Sequence, residues 1–414
     1  MNFIFFTAKR IGPTSKKKNK MSNTALHIAG SAVSLGLAVM IIAVAVVTGY
    51  KKEIYRKIMG FESHITVTNR SMNLTYETKP FNKNFADSIE RSKYPAIQNI
   101  QTFATKPAII SQNEEIEGVI LKGIGPNYDT KFIEEHLEEG KLLDAKADKR
   151  SNQTVISRKL ANLLQVDVGD KMNFFFIQDP PRVRSFEISG IFNTGVQTID
   201  AAFAICDIRH IQRLNGWEEN MVGGIEIQAT SHMAIDNLTE QLREEFSGFI
   251  TKDGNMLQIN SFKDNNPMIV QWLALTDINI EIILVLMIVV AVFNMISGLL
   301  IIILERTSMI GILKALGAAN SQIKKIFIIN GAQLIFRGMI WGNIIGIGLL
   351  LIQKYGELIP LDPAIYYVDT VPVQLNILHI LLLNAGTAAV TIVSLFLPTL
   401  IISKISPSKT IKFN

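Results

Sequence analysis

Four stretches of the chain are apolar at almost every position, and one long stretch between the first two alternates apolar and polar residues. A helix needs about 20 mostly apolar residues to cross a hydrocarbon core. The segments Ile28–Thr48, Ile278–Leu304, Ile326–Ile352 and Ile377–Ile402 meet that length. The first holds no charge, the second has Glu281 near its start, and the fourth has Pro398 near its end. A cleaved signal peptide is a poor reading of the first segment. Its apolar run exceeds an h-region, and Gly49-Tyr50-Lys51-Lys52 follows it in place of a small-residue cleavage site.

The intervening segment, 49–277, reads as a folded domain. Ser63–Asn69 alternates like a strand, Phe85–Lys93 has helical spacing, and Ile100–Ile110 reads as a longer strand. Near the far end, Gly224–Ala229 and Met256–Asn260 read as strands flanking an amphipathic helix over His232–Phe246. Two β-α-β end segments, about 61–124 and 220–262, are thus predicted to share a sheet. A β-rich insert, about 125–219, separates them and includes Thr154–Val166, Lys171–Ile177, Ser185–Phe192 and Phe203–Leu214. Inside it, Gln178-Asp179-Pro180-Pro181-Arg182 reads as a turn between apolar strands: an exposed hairpin tip, or a docking loop held out by a rigid scaffold.

Composition agrees with a membrane protein. Hydrophobic residues make up 48% and charged residues 19%, below the quarter usual in soluble domains. The net charge of +5 is uneven, with Lys9, Arg10, Lys16, Lys17, Lys18 and Lys20 crowded ahead of the first span. Such a cluster before an apolar span is a topology signal rather than a nucleic-acid arm. Arg306, Lys314, Lys324 and Lys325 lie between the second and third spans, and Lys404, Lys409 and Lys412 follow the fourth. The connection between the third and fourth spans carries Glu357, Asp362 and Asp369 beside Lys354. Both termini and 305–325 are therefore expected in the cytoplasm, with 49–277 and 353–376 outside. The tails are 1–27 and 403–414, and the spans 28–48, 278–304, 326–352 and 377–402. Lys51, Lys52, Arg56 and Lys57 oppose this orientation, but large domains translocate largely regardless of charge. Cys206 is the single cysteine, so no intrachain disulfide holds the domain.

No P-loop, no H-E-x-x-H and no Cys/His cluster with metal spacing occurs, and the six histidines are scattered. No catalytic residue and no metal site is expected. Polar groups inside the spans are few: Asn294 on the second, and Asn330, Gln333, Arg337 and Asn343 on the third. That is a poor equipment for an ion-coupled carrier. Arg337 reads as a side chain reaching for the cytoplasmic interface. Gly338, Gly342 and Gly346 recur on one face of the third span, where small residues admit another helix.

The most informative stretch runs from Glu305 to Ala318, E-R-T-S-M-I-G-I-L-K-A-L-G-A. At helical spacing Met309, Ile312, Leu313 and Leu316 fall on one side. An amphipathic helix of this kind either anchors a loop at the lipid surface or docks on a cytoplasmic partner. Here the chain resembles the FtsX/MacB-type permeases of ABC transporters, whose signature after the second span is E-R-x-x-x-I-G-x-L-x-A-L-G-A. Ser406-Pro407-Ser408-Lys409 resembles the family's closing segment. Within that family, Gly49-Tyr50-Lys51-Lys52-Glu53 through His64-Ile65 resembles the lipoprotein-releasing Lol permeases, with Ser63 in place of their usual proline. Val155–Ala161 with Val168-Gly169-Asp170 resembles their I-x-S-x-x-L-A…V-G-D segment.

The resemblance implies a four-helix membrane protein with a large α+β extracytoplasmic domain of MacB-like core type, in the bacterial inner membrane. It implies a non-catalytic permease subunit with no cofactor of its own. ATP and Mg would be bound by a partner dimer of ABC ATPases, and a second permease copy or a paralogue would complete the complex. Glu305, Arg306, Gly311, Lys314, Leu316 and Gly317 would couple to the ATPase. Val44, Val47, Leu286, Val290 and Phe293 would line a cavity for the acyl chains of a lipoprotein cargo. The turn with Asp179, Pro180, Pro181 and Arg182 would occupy the place of a loop that extends toward a periplasmic lipoprotein carrier, although it is short here. Two further readings are a MacB-like efflux permease and an FtsX-like regulator of a cell-wall hydrolase. MacB chains carry a fused ATPase ahead of the first span, and FtsX-like chains have smaller external domains.

Overall fold

The computed structural model describes residues 20–70, 76–112, 115–147, 149–246, 248–250, 254 and 256–405. The basic cluster up to Lys18 and the closing Ser406–Lys409 lie outside the described residues. The chain divides into two compact units: residues 1–51, 272–360 and 370–414 form one, and residues 52–271 with 361–369 form the other. The connection 353–376, expected as a single loop, is thus shared, with Leu361–Asp369 belonging to the larger unit.

Among the described residues of the first unit, four helices are long and apolar enough to cross a membrane. They outrun the apolar stretches that predict them. The first lies in Lys20–Glu62, the second in Pro267–Glu305 and the third in Asn320–Gly356. The fourth is broken into Ile377–Ser394 and Phe396–Lys404. Leu395 separates its halves, and Pro398, four residues after Ser394, has no N–H to continue the ladder. The first span is the most enclosed, with half of its apolar window buried against 22–28% for the others.

Glycines explain that enclosure. A Cβ on Gly338 would stand 2.8 Å from the Gly30 carbonyl oxygen, and one on Gly342 would stand 2.7 Å from the Ser34 oxygen. On Gly346 it would meet Ala38 at 3.2 Å. The stripe on the third span therefore carries the backbone of the first, as small residues do where helices associate in lipid. Leu37, Met40, Ile41, Ala45 and Leu350 fill the core beside this crossing. Between the third and fourth spans, Asn343 and Asn384 exchange two amide hydrogen bonds, at 2.7 and 2.9 Å. Asn343 is thereby a helix-to-helix clasp.

The larger unit is built on β1 (Ile65–Asn69), β2 (Phe81–Asn82), β3 (Ile97–Gln112), β4 (Glu115–Ile124), β5 (Leu137–Gly140), β6 (Gln153–Ser157), β7 (Lys171–Phe176), β8 (Arg182–Phe192), β9 (Phe203–Asp207), β10 (Met221–Val222), β11 (Gly224–Ala229) and β12 (Leu257–Ser261). The order β12-β1-β11-β3 joins the two ends of the domain in one sheet, backed by the helix Ile235–Phe246. Ile65, Val67, Ile225, Ile227, Leu257 and Ile259 are buried at alternate positions. The path continues β3-β4-β9-β6-β8, and β7 pairs with both β8 and β3, so the pairing closes into a ring.

Three of the expected elements differ. Thr154–Val166 is a strand followed by the helix Arg158–Leu164, because Ser157 accepts from Leu160 N–H and caps it. Phe203–Leu214 likewise splits at Asp207, which accepts from Arg209 N–H and starts the helix Ile208–Asn215. Both are N-cap side chains satisfying orphan donors. The helix at Phe85 ends at Ser88, where Ile89 turns extended.

Candidate coupling surface

After the second span, Arg306 breaks the helix and a new one runs Thr307–Ala315. Its end follows from the last residues of the signature. Gly317 takes a left-handed φ of 89°. Ala318 N–H donates to the Leu313 carbonyl (2.9 Å), and Gly317 N–H donates to that of Lys314 (3.0 Å). This is the Schellman stop, which satisfies orphan carbonyls and favours glycine at the left-handed position. Leu313 and Ala318 pack on the same core, the contact that accompanies the motif.

The apolar side expected from spacing is divided. Met309, Ile310 and Leu313 pack into a core with Leu299 and Ile303 of the second span, Ile323 and Phe327 of the third, and Leu395 and Ile402 of the fourth. Gly311 is buried beside them. Ile312 and Leu316, four residues apart, are instead 50% and 79% exposed. Met309, Ile312, Leu313 and Leu316 thus share one stripe, but burial divides it. Ile310, about 100° round from Met309, sets its inner edge.

Lys314 turns inward. Its Nζ donates to the carbonyls of Ile402 and Ile405, at 2.6 and 2.7 Å, at the end of the last helix. Burial and the nearby Lys324 lower its pKa from the ordinary lysine value. Glu305 and Gly317 are exposed, and Arg306 is half-buried. Of the six residues expected to couple, Gly311 and Lys314 thus hold the helix to the bundle, Gly317 ends it, and Leu316 is presented outward with Ile312.

The residues expected to line an acyl-chain cavity are spread over the first two spans. Leu284, Met287 and Ile288 of the second span pack against the core of the first. Leu286, Val290 and Phe293 lie on the far side, 52%, 43% and 66% exposed. Val44 and Val47 are half-buried on the first span. The roughly 100° step of a helix sends residues two apart to opposite sides, so Leu286, Val290 and Phe293 face away from the core of the first span.

In the larger unit, residues 177–181 connect β7 to β8, and the Asp179–Pro180 peptide is cis. Gln178 and Arg182 donate to the carbonyls of Leu214 and Arg213, each at 3.2 Å, which ties the hairpin root to the end of the later helix Ile208–Asn215. Asp179, Pro180 and Pro181 are exposed, and Ile177 beside them is 82% exposed. The family-like segment around Ser157 and Gly169 has structural work. Ser157 is the cap described above, and Gly169, at φ 98°, donates to the Ile188 carbonyl. Ser63 sits at φ 69°, which proline's ring forbids.

A buried ion pair escapes the sequence reading. Lys122 Nζ stands 2.7 Å from Glu226 Oε1 and 2.6 Å from the Phe61 carbonyl, and Gln101 donates to Glu226 Oε2 at 2.7 Å. The ammonium lies 4.7 Å from the Phe61 ring centre and 5.2 Å from that of Tyr128. The available signal was a lysine within the apolar run Gly118–Ile124.

Two family models match the chain. The model of the MacB-like periplasmic core domain matches residues 28–245, and that of the FtsX-like permease C-terminal segment matches residues 281–407. The chain is 23% identical over 437 aligned positions to the lipoprotein-releasing system transmembrane protein LolE of Haemophilus influenzae, covering 99% of each. It is 22% identical to LolC of Neisseria meningitidis serogroup B, covering 96% of each. Among solved structures, the periplasmic region of MacB from Actinobacillus actinomycetemcomitans matches 52% of this chain and 95% of its own, at 16% identity and a TM-score of 0.35. With a core-domain match over more than half its length and the permease match beyond it, the chain belongs to the FtsX/MacB-type permeases.

Proposed function

We propose that this chain is the permease subunit of an ABC transporter that releases lipoproteins from the bacterial inner membrane. Movement enters from a separate cytoplasmic dimer of ATPases, which binds ATP and Mg and does all the phosphate chemistry, so the chain itself is non-catalytic. Both termini and the coupling helix lie in the cytoplasm. The observation that carries this reading is the helix Thr307–Ala315, stopped by Gly317, clamped to the last span by Lys314 and presenting Ile312 and Leu316. A part so fixed to the bundle transmits force. Its exposed apolar pair suits a groove on the motor.

Similarity along nearly the whole chain to LolE and LolC supports lipoprotein as the cargo. The exposed stripe of Leu286, Val290 and Phe293 suits a second permease, a copy or a paralogue, with acyl chains held between the two. Each buried CH₂ of such a chain stabilises the complex by about 0.8 kcal/mol, so extraction needs an apolar host that the motor can later close. The hairpin tip at Asp179–Arg182, with exposed Ile177, is the place assigned to a periplasmic lipoprotein carrier.

The test is copurification of the ATPase with Ile312→Asp and Leu316→Asp variants of the full chain. Full burial of a Leu or Ile side chain is worth about 1.5–3 kcal/mol, so each variant should lose at least about tenfold in ATPase affinity with unchanged folding. Undiminished ATPase binding by both variants would refute the assignment.

A further inference from the structure

We infer that the larger unit holds a binding site for a saccharide in a cavity of about 480 Å³ over the polar face of β1 and β12. Alternation puts Ile65, Val67, Leu257 and Ile259 into the core and leaves Thr66, Thr68, Gln258 and Asn260 on the opposite face. Register then places Thr66 opposite Asn260 and Thr68 opposite Gln258. These four line the cavity. On β1 and β12 these positions are uncharged amides and hydroxyls, and the charges of the cavity, Glu62, Glu77, Lys79, Lys122 and Glu226, come from the neighbouring elements.

Those groups are pre-ordered. Gln258 donates to Asn260 Oδ1 at 2.9 Å, Asn260 to Asn265 Oδ1 at 3.1 Å, and Asn265 to Thr66 Oγ1 at 2.9 Å. Two polar groups remain open. Asn69, 8% exposed and lining the cavity, has a buried Nδ2 with no hydrogen-bond partner among the described residues. Glu62 accepts from Asn266 on Oε2 at 2.7 Å, and its other oxygen has no hydrogen bond among the described residues. An unpaired buried donor is unfavourable, and a turn of the Asn69 side chain toward the cavity would give it a ligand acceptor. Glu226 and Lys122, also on the wall, satisfy each other.

Aromatic faces complete the set. Tyr76, 56% exposed, meets Phe203 edge-to-face at 5.8 Å, and both line the cavity. An open amide donor, an open carboxylate acceptor, an amide ladder and an accessible ring are the groups that hold a ligand with a polar rim of hydroxyls and an apolar C–H face. The volume suits a disaccharide. A polyamine would use Glu62 and the rings but would leave Asn69 unpaired.

Saturation-transfer NMR on the full chain in detergent tests this, with the β-1,4-linked N-acetylglucosamine disaccharide as probe and spermidine as the cationic control. Saturable transfer to the disaccharide is expected. Asn69→Ala should weaken binding at least fivefold, Tyr76→Ala should do the same, and both should melt like the parent. Tyr76 is exposed, so its variant guards against a folding defect at Asn69. Absence of transfer in the parent, undiminished binding in both variants, or binding of spermidine in place of the disaccharide would overturn the inference.

Discussion

Lys314→Met separates two roles that a coupling residue can have. The change keeps the apolar stem and removes the ammonium that joins the coupling helix to the Ile402 and Ile405 carbonyls. A hydrogen bond from a charged donor contributes about 1.5–3 kcal/mol. Both carbonyls belong to a helix end, where water can replace part of what is lost, so the lower end applies and the pair is worth about 2–3 kcal/mol. Opening of Phe396–Lys404 away from the coupling helix should become about 30- to 140-fold more frequent, at tenfold per 1.4 kcal/mol. Amide hydrogen exchange over Thr307–Ala315 and Phe396–Lys404 reads this directly. ATPase binding should fall less than with Leu316→Asp, since Lys314 does not face outward. If exchange is unchanged while ATPase binding is abolished, the ammonium contacts the motor and the clamp has been misread.

Other consequences can be checked separately. Lys122→Met leaves Glu226, 2% exposed, as a buried charge without its cation, and should destabilise the larger unit by about 3–5 kcal/mol in denaturant melts, with Lys122→Met/Glu226→Gln recovering most of it. Gly342→Leu drives a side chain into the Ser34 carbonyl, so the first and third spans should separate, seen as lost cross-linking between cysteines placed at Ser34 and Gly342 flanks, whereas Gly348→Leu, which faces open space, should be tolerated. His210 is buried and its pKa is lowered to about 4, chiefly by desolvation. A lowered histidine pKa gives stability that is complete above the unfolded value near 6.5 and is lost as pH falls from there toward about 4. His210 should therefore remove up to about 1.4 kcal/mol of the larger unit's stability per pH unit over that window, read as a falling melting temperature. His64, also lowered to about 4 by burial, adds to the slope, so His210→Gln should reduce it and substitution of both histidines should flatten it.

How much was legible in the sequence differs by element. The four spans were read from composition, because a helix in lipid must be apolar on nearly every side. Their ends were not: Pro267–Leu273 and Tyr50–Glu62 are helical although they carry charges or polar residues, since hydropathy reports the membrane and not the helix. The joining of β1, β3, β11 and β12 in one sheet was read from matching alternation at the two ends of the domain. The ring closed by β7 was not, because pairing between distant strands leaves no local mark.

The coupling segment shows the same division. Its sequence alone determined that a short amphipathic helix follows the second span, since spacing is a property of the local chain, whereas its stop at the left-handed Gly317 emerged from the structure. Only the tertiary structure decided which apolar residues turn inward. Met309, Leu313, Ile312 and Leu316 are chemically alike, and the packing of Ile310 against four spans selected the first two for the core and left the last two outside. Lys314 reads as a surface charge until the end of the last helix, some ninety positions away, brings two carbonyls to it. Periodicity describes one helix at a time, whereas burial and charge pairing depend on neighbours that only the folded chain supplies.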